Sequence, residues 1–160
     1  MNAVQIKLFN TYLRFKSSGI RADIHDKFGI PWTFEQEDDL AMGFSNWQCY
    51  TQGCMADVGL RWSDESTFVN LNGIFIHNPR YWGRGVGSIL IDKVKAFTIK
   101  LGKDGIVGWV SDEQVNGGLK RENPQPHLLD WYRHHGFSVT ELSDPSNPQR
   151  IADIFWRAPF

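Results

Sequence analysis

Cysteine is scarce in this chain: Cys49 and Cys54 are the only two in 160 residues, and their separation suits neither a zinc knuckle nor a disulfide framework. Both are expected as buried thiols in a reducing compartment. Net charge is equally slight, -1 from 17 Lys and Arg against 18 Asp and Glu. A broad nucleic-acid footprint needs a basic face or stripe, so nucleic acid is not an expected partner. No early run has the apolar core of a signal peptide and none downstream suits a membrane span, which makes the cytoplasm the expected location and excludes a membrane partner. Repeats and low-complexity tracts are missing too. The His134-His135 pair lacks a third ligand at a sensible spacing, so no metal is expected. What is present is apolar and aromatic material, 41% and 14% of the residues. That is enough for one well-buried core and too little chain for two ordinary domains, so a single domain over 1–160 is expected.

Periodicity gives an α/β plan. Val4, Leu8, Tyr12 and Phe15 fall near one helical face, which predicts a first helix over Ala3 to Lys16, ended by Ser17-Ser18-Gly19. The pattern from Ile20 to Asn46 is weak; Pro31 marks a turn, and Thr33 to Leu40 reads as a short acidic helix. Trp47 to Tyr50 and Met55 to Trp62 read as strands around Thr51-Gln52-Gly53. Thr67 to Ile76 alternates and is rich in Val, Ile and Phe, Ile106 to Val110 is a short apolar strand, and Phe137 to Leu142 and Ile151 to Trp156 complete the sheet.

The richest stretch joins the Thr67 to Ile76 strand to a helix carrying Leu90, Ile91, Val94, Phe97 and Leu101 at helical spacing and closed by Gly102. Between them lies Pro79-Arg80-Tyr81-Trp82-Gly83-Arg84-Gly85-Val86-Gly87-Ser88. Glycines in such a turn let the backbone approach an anion, and the free N–H groups of the helix's first turn point at it with the favourable end of the dipole. Arg84 could add a positive charge. The dinucleotide pattern G-x-G-x-x-G fails at Ser88, and no P-loop pattern occurs. A plain turn is the bland alternative.

The run Pro-x-Tyr-x-Gly-x-Gly-x-Gly-Ser leading into an amphipathic helix resembles the pyrophosphate loop of the GNAT superfamily, the acyl-CoA N-acyltransferases. Leu128-Leu129-Asp130-Trp131-Tyr132-Arg133-His134-His135-Gly136-Phe137 looks like the late helix and exit turn of the same superfamily, with a tyrosine four residues before Gly-Phe. The resemblance runs from Thr67 to Val139. It departs from the superfamily's pattern at Trp82, where Arg or Gln is usual, at one extra residue between Ile76 and Pro79, at Leu128 in place of a small residue, and at an asparagine matched only by Asn123.

That resemblance implies an α/β, GNAT-like fold, a mixed and mostly antiparallel sheet flanked by helices. It implies an N-acetyltransferase that moves an acetyl group from acetyl-CoA, as acyl-donor cosubstrate, to a primary amine of a small molecule or protein by direct attack in a ternary complex. The pyrophosphate is expected on the loop residues Trp82, Gly83, Arg84, Gly85, Val86, Gly87 and Ser88, with Arg80 as a substitute contact for the missing Arg or Gln. The pantetheine is expected along Phe75 and Ile76, whose strand splays from its neighbour in this superfamily. Tyr132 is the expected general acid for the leaving thiolate, since an ordinary tyrosine pKa of about 10 suits that proton transfer.

No carboxylate can be carried over as general base, because the strand offers Asn70 and Asn72. Asp112 and Glu113, just after the Ile106 to Val110 strand, are the first candidates; Glu65, Asp57 and His77 follow, and the plain reading of each is a solvated loop. Ser111 to Gln125 reads as a loop at the mouth of the site. Glu35, Glu37, Asp38 and Asp39 could attract a cationic amine or simply form a surface. Two other readings stay open: a GNAT-like fold kept as an inactive binding module, with aromatics offered to a protein partner or a second copy as a homodimer, and a nucleotide-binding protein.

Overall fold

The structure, a computed structural model, describes residues 18–117 and 123–160. The helix expected over Ala3 to Lys16 lies outside the described residues. Eight strands make one sheet: β1 (Ser18–His25), β2 (Pro31–Asp39), β3 (Phe44–Thr51), β4 (Cys54–Arg61), β5 (Phe68–Ile76), β6 (Gly105–Ser111), β7 (Ser138–Glu141) and β8 (Arg150–Arg157). The spatial order is β1-β2-β3-β4-β5-β6-β8-β7. Every neighbouring pair is antiparallel except β5 with β6. A parallel pair needs a crossover, and α1 (Val86–Lys100) supplies it. Two shorter helices follow, α2 (Asp112–Asn116) and α3 (Leu128–His134). No helix of the described residues is long and apolar enough to cross a membrane.

The expected acidic helix over Thr33 to Leu40 is a strand. Trp32, Phe34, Gln36 and Asp38 are buried and their neighbours are more exposed, the two-residue period of a strand with one buried face. Polar residues at two inward positions hid that period. Ser45 and Trp47 on β3 make them tolerable: Gln36 Nε2 donates to Asp38 Oδ1 at 2.9 Å, the Ser45 hydroxyl donates to Asp38, and Trp47 Nε1 donates to Ser45 Oγ at 2.6 Å. A buried polar group costs little once it is hydrogen-bonded.

The core lies between the sheet and α1. Leu90, Ile91, Val94 and Phe97 of α1 face Trp32, Phe34, Trp47, Val58, Leu60, Val69 and Leu71. Trp47 meets Phe34 and Phe97 edge-on, with ring centroids 5.5 and 5.8 Å apart. Full burial of an apolar side chain stabilises by roughly 1.5–3 kcal/mol. Cys49 and Cys54 are free and buried at the margin of this core, and burial pushes the Cys49 thiol up to about 12.

A bulge in β5 sets which side chains face the core. Leu60 pairs with Leu71 but Gly59 pairs with Gly73, so Asn72 has no partner on β4. The extra residue reverses the alternation beyond it. Val69 and Leu71 point into the core; past the bulge Ile74 and Ile76 take that face, and Phe75 turns to the other.

Candidate active site

Strand β5 is paired with β6 for only part of its length. The parallel register runs from Phe68↔Gly105 to Leu71↔Gly108 and stops, while β5 continues to Ile76 and β6 continues alongside β8 to Ser111. The two strands part after the bulge. His77 N–H donates to Met55 O at 3.0 Å. By the alternation of an antiparallel ladder, the N–H groups of Ile74 and Ile76 therefore face away from β4 and into the gap. The Ile76 carbonyl points there too and accepts from Trp82 Nε1 at 2.9 Å.

Beyond β5 the chain makes a short 3₁₀ turn, Pro79–Tyr81, with Asn78 as its cap, and then the glycine loop. Gly85 stands at the N-cap of α1 with φ 83°, a left-handed conformation that strains any residue with a Cβ, and it offers no side-chain cap. The first intrahelical bond of α1 runs from Ile89 N to Gly85 O at 3.1 Å. The N–H groups of Val86, Gly87 and Ser88 are thus the uncapped donors of a 15-residue helix. A Cβ on Gly87 would lie 3.2 Å from Trp131 Cζ2, so helix α3 packs directly on this turn.

The β1–β2 hairpin closes one side of the loop. Asp26 is buried and accepts from the Phe28 and Ile30 N–H groups at 2.9 and 3.0 Å and from Trp32 Nε1 at 3.2 Å. Burial pushes its carboxyl up, but those hydrogen bonds from Ile30, Trp32 and Phe28, with the Arg84 guanidinium, outweigh it and hold Asp26 below the usual carboxylate range. Arg84 Nη1 lies 3.8 Å from Asp26 Oδ2, and the guanidinium sits 4.3 Å from the centroid of Tyr81. Lys27 N–H donates to Arg84 O at 2.9 Å, which fastens hairpin to loop. Arg80, expected as a phosphate contact, is not on the cavity wall.

Helix α3 makes the opposite side. The Trp131 and His135 rings meet at a tilt with centroids 4.5 Å apart, and His135 Nε2 lies 3.1 Å from Ser88 Oγ, which joins the two helices across the cavity. Burial, then Lys95, then His134 push His135 below its ordinary value against a pull upward from Asp92. Tyr132 packs between Trp131 and Phe137 and is 2% exposed. Burial pushes its hydroxyl up, so it stays protonated. Tyr132, expected as the general acid, is not on the cavity wall.

These elements enclose a cavity of about 660 Å³ lined by Ile74 and Ile76 at the gap, Trp82 to Ser88 along the loop, Lys27 from the hairpin and Gln125 to Leu128 with Trp131, His134 and His135 from the α3 side. Every expected loop residue is on its wall. Phe75 is not. The bulge turns its side chain to the far face of the sheet, and Ile74 takes the place expected of it. The lining residues not expected as site residues include Ile74 and Lys27, and also Pro126, His127, Leu128, Trp131, His134 and His135. A bulge-sensitive alternation would have found Ile74; nothing local marks Lys27.

A second cavity, about 550 Å³, opens on the far face between β2 and β5, lined by Glu35, Glu37, Asn46, Gln48, Asp57, Asn72 and Phe75 among others. Glu35 accepts from the Tyr50 hydroxyl at 3.0 Å, and Asp57 contacts His77 Nε2. Asp38 and Asp39, grouped with Glu35 and Glu37 in the sequence, are buried elsewhere: Asp38 faces the core, and Asp39 accepts from Met42 N–H at 2.9 Å in the β2–β3 turn. Asp112 and Glu113 line neither of these cavities. They form the first turn of α2, whose capping box pairs Ser111 with Gln114, and Asp112 accepts from Asn116 at 2.7 Å. The start of the expected Ser111 to Gln125 loop is thus helical.

A mixed sheet parting at one parallel pair, with a glycine turn and an uncapped helix at the opening, is the GNAT acyl-CoA N-acyltransferase fold. Solved structures match it at low identity. A GNAT-family acetyltransferase from Staphylococcus aureus Mu50 has a TM-score of 0.57 at 19% identity, over 75% of this chain and 71% of that one. Nourseothricin acetyltransferase gives 0.56 at 16% over 89% and 86%. A Bacillus subtilis acetyltransferase in complex with CoA gives 0.51 at 14% over 74% and 78%. No family model matches the sequence. No curated protein matches it either.

Proposed function

We propose that this protein is an acyl-CoA-dependent N-acyltransferase that moves an acetyl group from acetyl-CoA to a primary amine. The observation that carries the reading is one cavity joining two unlike sets of free backbone donors: the Val86, Gly87 and Ser88 N–H groups of an uncapped helix, and the Ile74 and Ile76 N–H groups of an unpaired strand edge. The first set suits a pyrophosphate. The second suits an extended amide-bearing arm and the developing oxyanion of a thioester. CoA carries all of these along one molecule, and the apolar walls at Ile74, Ile76 and Trp131 suit its pantetheine.

In this reading a neutral amine nitrogen bonds to the acyl carbon and gives up a proton to solvent, the C–S bond breaks, and the departing sulfur takes a proton. Tyr132 is the proposed donor on the strength of the family resemblance; burial keeps its hydroxyl protonated, and because it is not on the cavity wall the site has to open to it for the transfer. The amine approaches from the far face, where Glu35, Glu37 and Asp57 favour a cation. No base is assigned from Asp112 or Glu113. Their place in the α2 cap gives them structural work instead.

Thermal unfolding with CoA and acetyl-CoA, against NAD and ATP, tests the cosubstrate. Ligand at about a hundred times its Kd adds about 2.7 kcal/mol, a visible shift. Stabilisation by CoA species alone is expected, followed by release of free thiol when an acceptor amine is supplied. Binding without turnover over a broad amine panel favours the inactive module; no response to CoA overturns the reading.

A further inference from the structure

The cavity wall carries two Lys or Arg side chains among the described residues, Lys27 and Arg84. Sequence position favours Arg84, which lies within the glycine loop. Geometry does not. Its guanidinium is already committed, on one side to the buried Asp26 carboxylate at 3.8 Å and on the other to the face of Tyr81 at 4.3 Å. Arg84 is the pin that holds hairpin and loop together.

Lys27 is placed differently. Its backbone is fixed to the loop by the bond from Lys27 N–H to Arg84 O at 2.9 Å, and its Cβ lies 3.9 Å from where a Cβ on Gly85 would be. The turn that carries it is frozen by Asp26, which accepts from both Phe28 and Ile30 N–H groups. Its ammonium has no carboxylate partner among the described residues; the only contact is the face of Phe28, 5.3 Å from the ring centroid, and Phe28 is itself 65% exposed. An exposed cation on the cavity wall, beside uncapped amides and without a carboxylate partner among the described residues, is free to meet an anion there.

We propose that Lys27, delivered by the β1–β2 hairpin, is the cation that binds a phosphate of CoA, and that Arg84 serves as the structural pin. This rests on the cosubstrate reading above. It also supplies a charge to a loop that begins with Trp82, whose indole is occupied by Ile76 O.

The test is calorimetric titration of CoA into the full chain and its K27Q, K27R and R84Q variants over a series of salt concentrations. K27Q should weaken CoA binding about tenfold at low salt and flatten the dependence of affinity on salt, because one ion contact is gone. K27R should restore both. R84Q should lower the unfolding midpoint while keeping the wild-type salt slope, as expected of a residue whose charge is spent inside the protein. A K27Q chain with wild-type affinity and slope overturns the inference, as does R84Q taking over the loss of slope. A wild-type chain that takes no CoA overturns the cosubstrate reading itself, which is a different failure.

Discussion

The two sides of strand β5 are built on opposite principles. On the α1 side, Ile74 and Ile76 look into a cavity walled by one contiguous turn, the loop from Trp82 to Ser88, and by helix α3. On the far side, Asn72 and Phe75 look into an acidic hollow assembled from two or three residues each of β2, β3 and β4. The first wall is backbone, rigid and local in sequence. The second is side chain, charged and scattered. Under the proposed function one partner is constant and the other chosen, which suits this separation, because backbone donors recognise a shared feature and side chains set preference.

The sharpest break of that contrast is at Gly85. Its φ of 83° and its place at the N-cap mean that Gly85→Val strains the turn and tilts the uncapped amides away from the cavity. CoA binding should be lost, by a hundredfold or more in titration, since the backbone wall has no side chain to compensate. Gly87→Leu should act alike for a different reason, pushing Trp131 from its 3.2 Å approach. Unchanged affinity in both would remove the loop from the site.

Next in size is Tyr132→Phe. Deleting only the hydroxyl keeps the packing with Trp131 and Phe137 and removes the donor proposed for the thiolate. Turnover should fall by about a hundredfold with CoA affinity unchanged. Equal turnover would return Tyr132 to the core as packing alone.

On the far face the same contrast predicts graded effects. Glu37→Gln should raise the KM for a cationic amine by about fivefold and leave CoA affinity untouched, since one partly solvated charge among three is removed. An effect on CoA instead would show that the two faces are one site.

What could be read from the sequence followed the same division. The loop and both flanking elements are local: glycine spacing, a helical period and a late Tyr-x-x-x-Gly-Phe are all written within short windows. The hairpin was not, because Gln36 and Asp38 occupy inward positions and only Ser45 and Trp47, on another strand, make that possible. Phe75 was expected beside the pantetheine from the family resemblance, and the unpaired Asn72, which no local pattern marks, turns its side chain to the far face. Lys27 reaches the loop only through the fold. Non-local satisfaction, more than weak propensity, is what hid these residues.

A pH series probes the bridge between helices. His135 is held below its ordinary value by burial, Lys95 and His134, so the unfolded chain takes up its proton first. Its contribution to stability is complete above the unfolded value of 6.5 and is lost as pH falls from there toward the depressed folded value. The unfolding midpoint should therefore drop on going from neutral to mildly acidic pH, and His135→Gln should flatten that part of the curve. A variant with the wild-type slope would place the titration elsewhere.

The smallest expected effect lies at the meeting point of the two walls. Trp82 Nε1 caps the Ile76 carbonyl, which otherwise points into the gap between β5 and β6. Trp82→Phe keeps most of the ring and uncaps that acceptor, at a cost of about 0.5–1.5 kcal/mol in the free protein. An amide-bearing pantetheine lying in the gap has an N–H to offer in its place, so the loss should be smaller when CoA is bound. Unfolding midpoints of Trp82→Phe with and without saturating CoA measure the difference. An equal loss in both states would mean that the arm runs past Ile74 alone, and that the indole, by occupying Ile76, fixes where along the strand the thioester stops.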